Sequence, residues 1–165
     1  MHGYIDLDID IADFKVLNYN AATIDPVFHK QYIDAGHPRE SIILYNYFEP
    51  NPMPKGVDAI KEYFNYLSPL TVAVNYCKPS QYLPLHKDLY KRWMEVHGIN
   101  NINNIVRSIV MLEDGQPGQI LQIEDQCYTM WEKGEYFTWQ GSTRHAIYNF
   151  SKTDRYAIQV TGYKE

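Results

Sequence analysis

From residue 71 to residue 161 the chain breaks into short β-rich runs, and Gly, Pro, Asn or Asp stands in most of the gaps. The runs cover 71–76, 105–112, 119–123, 127–131, 135–140, 144–150 and 155–161. Strands this short and this closely spaced favour a sandwich or barrel. Residues 88–97 read as a helical insert, followed by a loop at Gly98 and the Asn-rich stretch 100–104. Residues 26–35 predict a short helix that ends near Gly36-His37-Pro38. Residues 41–48 form a β-rich run, and Pro50, Pro52 and Pro54 then impose an extended loop. Ile60, Phe64 and Leu67 recur at helical spacing within 57–67, and Ser68-Pro69 stops that helix. The expectation is a single domain over 1–165, with an α/β flanking layer over 1–70 beside a β core over 71–161. No internal repeat or linker divides it.

The 165 residues suffice for one sizeable core, and 45% of them are hydrophobic, so the chain is globular. Its net charge of −5 argues against nucleic acid or an anionic membrane as a partner. The small basic cluster Lys87, Lys91 and Arg92 reads as a solvated helix face. Cys77 and Cys127 form no CxxC pair, which disfavours a disulfide framework or a thiolate zinc site; both are expected to be buried, reduced thiols. The start Met1-His2-Gly3-Tyr4-Ile5-Asp6 lacks the features of a signal peptide, and no apolar run approaches the roughly 20 residues of a membrane span. A cytoplasmic location is the expectation. The 15 tyrosines suit strand positions and can also line a polar cavity.

The chemistry concentrates in Leu85-His86-Lys87-Asp88. On an extended strand residues i and i+2 point the same way, so His86 and Asp88 can present an imidazole nitrogen and a carboxylate oxygen to one point. His145 adds a second imidazole. Two histidines and one carboxylate make a facial set that leaves half the coordination sphere of a ferrous ion open, and the same donors suit Mn(II) or Zn(II). Taken alone, His-x-Asp is equally a surface histidine at a strand end. Arg155, ten residues beyond His145, supplies a cation that could hold a carboxylate beside the metal; alone it reads as a surface strand arginine. If 144–150 and 155–161 form a hairpin, a three-residue loop at 151–153 sets Arg155 opposite Asn149 and on the face of His145. The offset is then about 13 Å, at about 3.3 Å per residue. A two-residue loop would put Arg155 on the other face.

His86-Lys87-Asp88, His145 and Arg155 together resemble the Fe(II)/2-oxoglutarate-dependent oxygenase superfamily. Trp131-Glu132-Lys133-Gly134-Glu135-Tyr136-Phe137, then His145-Ala146-Ile147-Tyr148-Asn149, then Arg155-Tyr156, resemble its aspartyl/asparaginyl β-hydroxylase-like branch, with a Trp-x-x-Gly turn, a His-x-x-x-Asn segment and a following Arg. Arg107 in Val106-Arg107-Ser108-Ile109 is similar to an arginine found early in that branch. The resemblance spans about 71–161. It implies a mainly β fold with flanking helices, a double-stranded β-helix (jelly-roll, cupin-like). It further implies Fe(II) on His86, Asp88 and His145, O2 as oxidant, and 2-oxoglutarate as cosubstrate with its distal carboxylate on Arg155. Animal members of the branch lack the metal-binding acid that Asp88 supplies here, and residues 137–142 stand where the branch often has an Asp-rich turn. The implied activity is hydroxylation of an amino acid, free or within a peptide. Arg107 then either meets a substrate carboxylate or points to solvent, and Trp139 either packs in the core or walls the substrate cavity. A cupin-like isomerase or lyase would account for the triad but not for Arg155. A non-catalytic β-sandwich binding module would make the histidines incidental.

Overall fold

The computed structural model describes residues 1–22 and 24–164. Its strands are β1 (His2–Tyr4), β2 (Asn20–Ala21), β3 (Tyr45–Phe48), β4 (Leu70–Cys77), β5 (Gln81–His86), β6 (Ile105–Met111), β7 (Gln119–Ile123), β8 (Gln126–Tyr128), β9 (Glu135–Gln140), β10 (His145–Asn149) and β11 (Arg155–Tyr163). The helices are α1 (Ile11–Lys15), α2 (Pro26–Asp34), α3 (Val57–Tyr63) and α4 (Lys91–His97). A seven-stranded antiparallel sheet in the order β1-β9-β6-β11-β4-β3-β2 faces a four-stranded one in the order β5-β10-β7-β8. The architecture is a mainly β double-stranded β-helix of the jelly-roll kind with flanking helices.

Alternation along β11 shows how the layers form. Tyr156, Ile158 and Val160 point to a core built with Phe14 of α1, Ile60 of α3 and Phe64 just after it. Ala157, on the other face, joins Cys77, Ile109, Met111, Leu121, Phe137, Trp139 and Ile147 between the sheets. Both faces of the strand are covered, so its sequence reads as a continuous buried run. Residues 1–70 do more than flank this core. β1 extends one edge of the large sheet through β9, and β3 extends the other through β4. Neither β1 nor α1 was legible as an element, because three- and five-residue segments carry too little periodicity.

Several boundaries move for physical reasons. The run at 41–48 narrows to Tyr45–Phe48, with only an isolated bridge from Ile42 to Tyr82 before it. The helix at 57–67 ends at Tyr63, and the one at 88–97 begins at Lys91, after Tyr90 takes a left-handed φ of 51°. The strand expected at 127–131 lies at Gln126–Tyr128, because Met130, with φ 54°, turns the chain so that Trp131 enters the core. Cys77 is buried as expected, but Cys127 is exposed. On the narrow edge strand β8 Tyr128 packs inward against Phe137, so its neighbour faces out. Gly134 closes the Trp-x-x-Gly turn with φ 92°, where any Cβ would collide with the Ile5 carbonyl.

The hairpin between β10 and β11 does not form. β10 pairs with β5 and β7 in the small sheet, and β11 pairs with β4 and β6 in the large one. The segment between them is a crossover held by Asn149. Its Nδ2 donates to the carbonyls of Cys77 (2.8 Å) and Thr153 (2.9 Å). Its Oδ1 accepts from the Ser151 hydroxyl (2.6 Å) and backbone N–H (3.2 Å). One buried amide thus ties the end of β10 to the opposite sheet. Asn149→Ala is expected to lower unfolding free energy by about 2–4 kcal/mol, at roughly 1 kcal/mol per lost buried hydrogen bond. Urea denaturation measures it, and a loss below about 0.5 kcal/mol would mean that the crossover does not depend on this amide.

Candidate metal centre

β5 contains Pro84, which cannot donate to a sheet ladder, and the pairing slips there. Ile147 faces Leu83, but His145 faces His86, so β5 carries an extra residue between the two pairs. This bulge brings His86 opposite His145 in place of Leu85, and the ring centroids lie 4.5 Å apart. β5 ends at His86, so Asp88 lies beyond the strand and reaches the site from the turn before α4. His86 Nε2 stands 3.6 Å from Asp88 Oδ1, and His145 Nε2 3.6 Å from Asp88 Oδ2. One donor atom from each of the three residues falls within 4.8 Å of the others.

The donor set fits a divalent transition metal. The other nitrogen of each ring is engaged: His86 Nδ1 with the Pro84 carbonyl at 2.7 Å and His145 Nδ1 with the Thr143 carbonyl at 3.3 Å. A carbonyl only accepts, so each Nδ1 carries the proton and each Nε2 keeps its lone pair for the shared point. Burial pushes His145 down to about 4, against the opposing pull of Asp88, so the imidazole is neutral at physiological pH. Burial alone would raise the Asp88 carboxyl, but Arg107 and the two histidines outweigh it and hold the group well below the usual carboxylate range.

Arg107 on β6 is buried and does not point to solvent. Its Nη2 donates to Asp88 Oδ2 at 2.7 Å and its Nε to the Tyr90 hydroxyl at 3.0 Å. Asp88 is thus clamped to the large sheet while its other oxygen faces His86. This partnership was not foreseen, and only the alternation of β6 hinted that Arg107 faces inward with Ile109 and Met111. Trp139, the register partner of Arg107 on β9, lies in the inter-sheet core with its ring centroid 4.9 Å from that of His145.

Arg155 is also buried, opposite Cys77 and on the inward face of β11. It reaches this face through the sheet-to-sheet crossover. Its Nη2 donates to Met111 Sδ at 3.4 Å, and its guanidinium carbon lies 5.4 Å from the Trp131 ring centroid. Nε and Nη1 are buried without a partner among the described residues. Burial draws Arg155 down to about 10, so it remains charged at neutral pH. Burial likewise pushes the neighbouring Cys77 thiol up to about 12, so Cys77 supplies no anion. A cavity of about 570 Å³ opens at the Arg155 end, lined also by Gln119, Trp131 and Asp154, and no triad residue lines it. Met111, Leu121 and Ile147 belong to the core between the sheets.

Among solved structures, a Pseudomonas putida prolyl-4-hydroxylase superposes with a TM-score of 0.54 at 12% identity, covering 94% of this chain and 97% of that one. The cupin domain of Cnp3 from Schizosaccharomyces pombe gives 0.46 at 10% identity, over 73% and 65% of the two chains. A cupin domain from Bordetella pertussis gives 0.38 at 14%, over 58% and 82%. These likenesses concern the fold. No family model and no curated protein matches the sequence. No helix among the described residues is long and apolar enough to cross a membrane.

Two outcomes follow from the geometry. Arg107→Gln is expected to weaken Mn(II) binding about tenfold to a hundredfold, the usual effect of removing the partner that orients a ligating carboxylate. Anaerobic calorimetry measures it, and an unchanged affinity would free Asp88 from dependence on Arg107. The metal-free protein should lose stability as pH falls from about 6.5 towards 4. The His145 pKa is lower folded than unfolded, so the unfolded chain takes up more protons in that window. Asp88 adds a further loss below the ordinary carboxylate range, since its folded pKa is also depressed. Denaturation in His145→Gln should show a flatter slope across the upper window; an identical slope would assign the effect to other groups.

Proposed function

We propose that this protein is an Fe(II)- and 2-oxoglutarate-dependent dioxygenase that hydroxylates an amino acid, free or within a peptide. The observation that carries the proposal is Arg155. It is a buried, charged guanidinium with two nitrogens unpartnered among the described residues and no carboxylate there within ion-pair distance, on the inner face of the large sheet and turned to the same inter-sheet interior as His145. Leaving such a charge dry and unpaired costs several kcal/mol, and a ligand carboxylate would remove that cost. A metal enzyme with no dicarboxylate cosubstrate leaves this group without a role. The Pseudomonas putida structure that shares the fold is a prolyl-4-hydroxylase, so the fold accommodates such chemistry.

His86, Asp88 and His145 would hold the iron on one side and leave the other open. Bound iron supplies the activation of O2 that couples conversion of 2-oxoglutarate into succinate and CO2 to hydroxylation of a substrate C–H bond. One oxygen atom of O2 enters succinate and the other enters the product. The remaining work belongs to the chain. Arg155 binds and orients the distal carboxylate as a bidentate pair. Met111 is the side chain suited to give way there, because it is unbranched and its Sδ already accepts from Arg155. Arg107 orients Asp88, and Trp139 packs against His145 and excludes water.

Anaerobic titration with Fe(II) and then 2-oxoglutarate tests the reading. A weak visible charge-transfer band is expected; its absence, with iron bound, would favour a metal enzyme of another class, and failure to bind iron would favour a non-catalytic module. His86→Ala, Asp88→Ala and His145→Ala should each abolish succinate release. Arg155→Ala should raise the 2-oxoglutarate KM roughly tenfold to a hundredfold, since a charge-assisted pair contributes about 1.5–3 kcal/mol, while Fe(II) affinity stays unchanged. An unaltered KM would remove Arg155 from the site.

A further inference from the structure

The inner face of the large sheet carries other buried donors without acceptors. Among the described residues these are, besides those of Arg155, Arg107 Nη1 and Trp139 Nε1. The two residues are direct register partners on β6 and β9, so their side chains leave the same face side by side. Each also touches the triad. Arg107 reaches Asp88 through the nitrogen next to the orphaned one, and the Trp139 ring lies against His145. Arg107 and Trp139 are 7% and 6% exposed, so neither donor is met by bulk solvent. Asp88 and His86 keep part of their side-chain surface open, which leaves an approach to this corner.

We infer that Arg107 Nη1 and Trp139 Nε1 form a substrate subsite beside the metal, and that its ligand is a carboxylate. This inference rests on the proposed cosubstrate reading. Two N–H donors from register partners on neighbouring strands are groups that the oxygens of one carboxylate can accept from. Arg155 belongs to a different subsite. β11 pairs Thr161 with Arg107, and Thr161 lies six positions beyond Arg155, about 20 Å of strand at about 3.3 Å per residue. The two arginines therefore enter the interior at different levels of the sheet, and the class of substrate indicated is an amino acid with a free carboxylate near the carbon to be hydroxylated.

The test uses full-length protein loaded anaerobically with Mn(II) and 2-oxoglutarate, titrated with the standard amino acids and with the matched carboxamides. Binding is read by calorimetry and by water-proton relaxation at the metal. At least one amino acid is expected to bind about tenfold to a hundredfold more tightly than its carboxamide, the usual effect of a charge-assisted pair. Trp139→Phe keeps an aromatic ring against His145 and removes the indole N–H. It should reduce that preference about tenfold while Mn(II) and 2-oxoglutarate affinities stay unchanged. Equal binding of acid and amide, no binding by any of the panel, or a preference that survives Trp139→Phe would each overturn the subsite. Failure of 2-oxoglutarate to load would instead overturn the cosubstrate reading and the subsite with it, so the two failures are distinguishable.

Discussion

A carboxylate and a guanidinium meet inside the sandwich, and the candidate site depends on that contact. Asp88 has left its strand and would otherwise swing freely in a turn. Arg107, anchored in the middle of a paired strand, holds one oxygen and leaves the other facing His86. The same guanidinium reaches the Tyr90 hydroxyl, so the turn that carries the ligand and the start of α4 are pinned by one side chain. A buried pair of this kind adds little net stability, because desolvation offsets most of the attraction. Its effect is on geometry. It selects one orientation of the carboxylate, and losing either partner would leave a charge stranded.

The second constraint is the bulge in β5. A regular ladder would set Leu85 opposite His145 and turn His86 to the other face. Pro84 interrupts the ladder, the extra residue shifts the register, and the two histidines come to face each other. The Pro84 carbonyl then accepts from His86 Nδ1, so the residue that breaks the pairing also selects the ligand tautomer. Strand pairing is given up at one position, and a pair of oriented imidazoles results.

These two devices explain what could be read from the sequence. The donor types and their order were legible, because His86 and Asp88 are neighbours and His145 lies in a run of evident strand character. The strands from β6 to β11 were legible too, since their hydrophobic runs are bounded by turn residues. What failed was pairing across distance. β10 and β11 are adjacent in sequence and separated by good turn residues, which suggests a hairpin; nothing local says that the chain changes sheets there. The sign lay in Asn149, whose amide serves the Cys77 and Thr153 carbonyls, but an asparagine in a strand has no unique reading. β5 was missed because Pro84 falls within its short run and reads as a strand breaker. The Arg107–Asp88 pair joins residues from opposite sides of the barrel, and no local periodicity encodes it.

Charge placement gives the interior its polarity. Of the two inward arginines, Arg107 meets an internal carboxylate and Arg155 meets a thioether and an indole face. Neither arrangement uses all the donors of a guanidinium. A sandwich selected for stability alone would fill both positions with apolar residues, as it does at Ile109, Leu121 and Ile147 between them. Retained cations with open donors are a cost to the empty fold that the proposed anions would offset, and they face the interior into which His145 also points. On the proposed reading, that unmet hydrogen-bonding capacity would be met by a carboxylate at each end of the inner face, with a metal ion beside the Arg107 end.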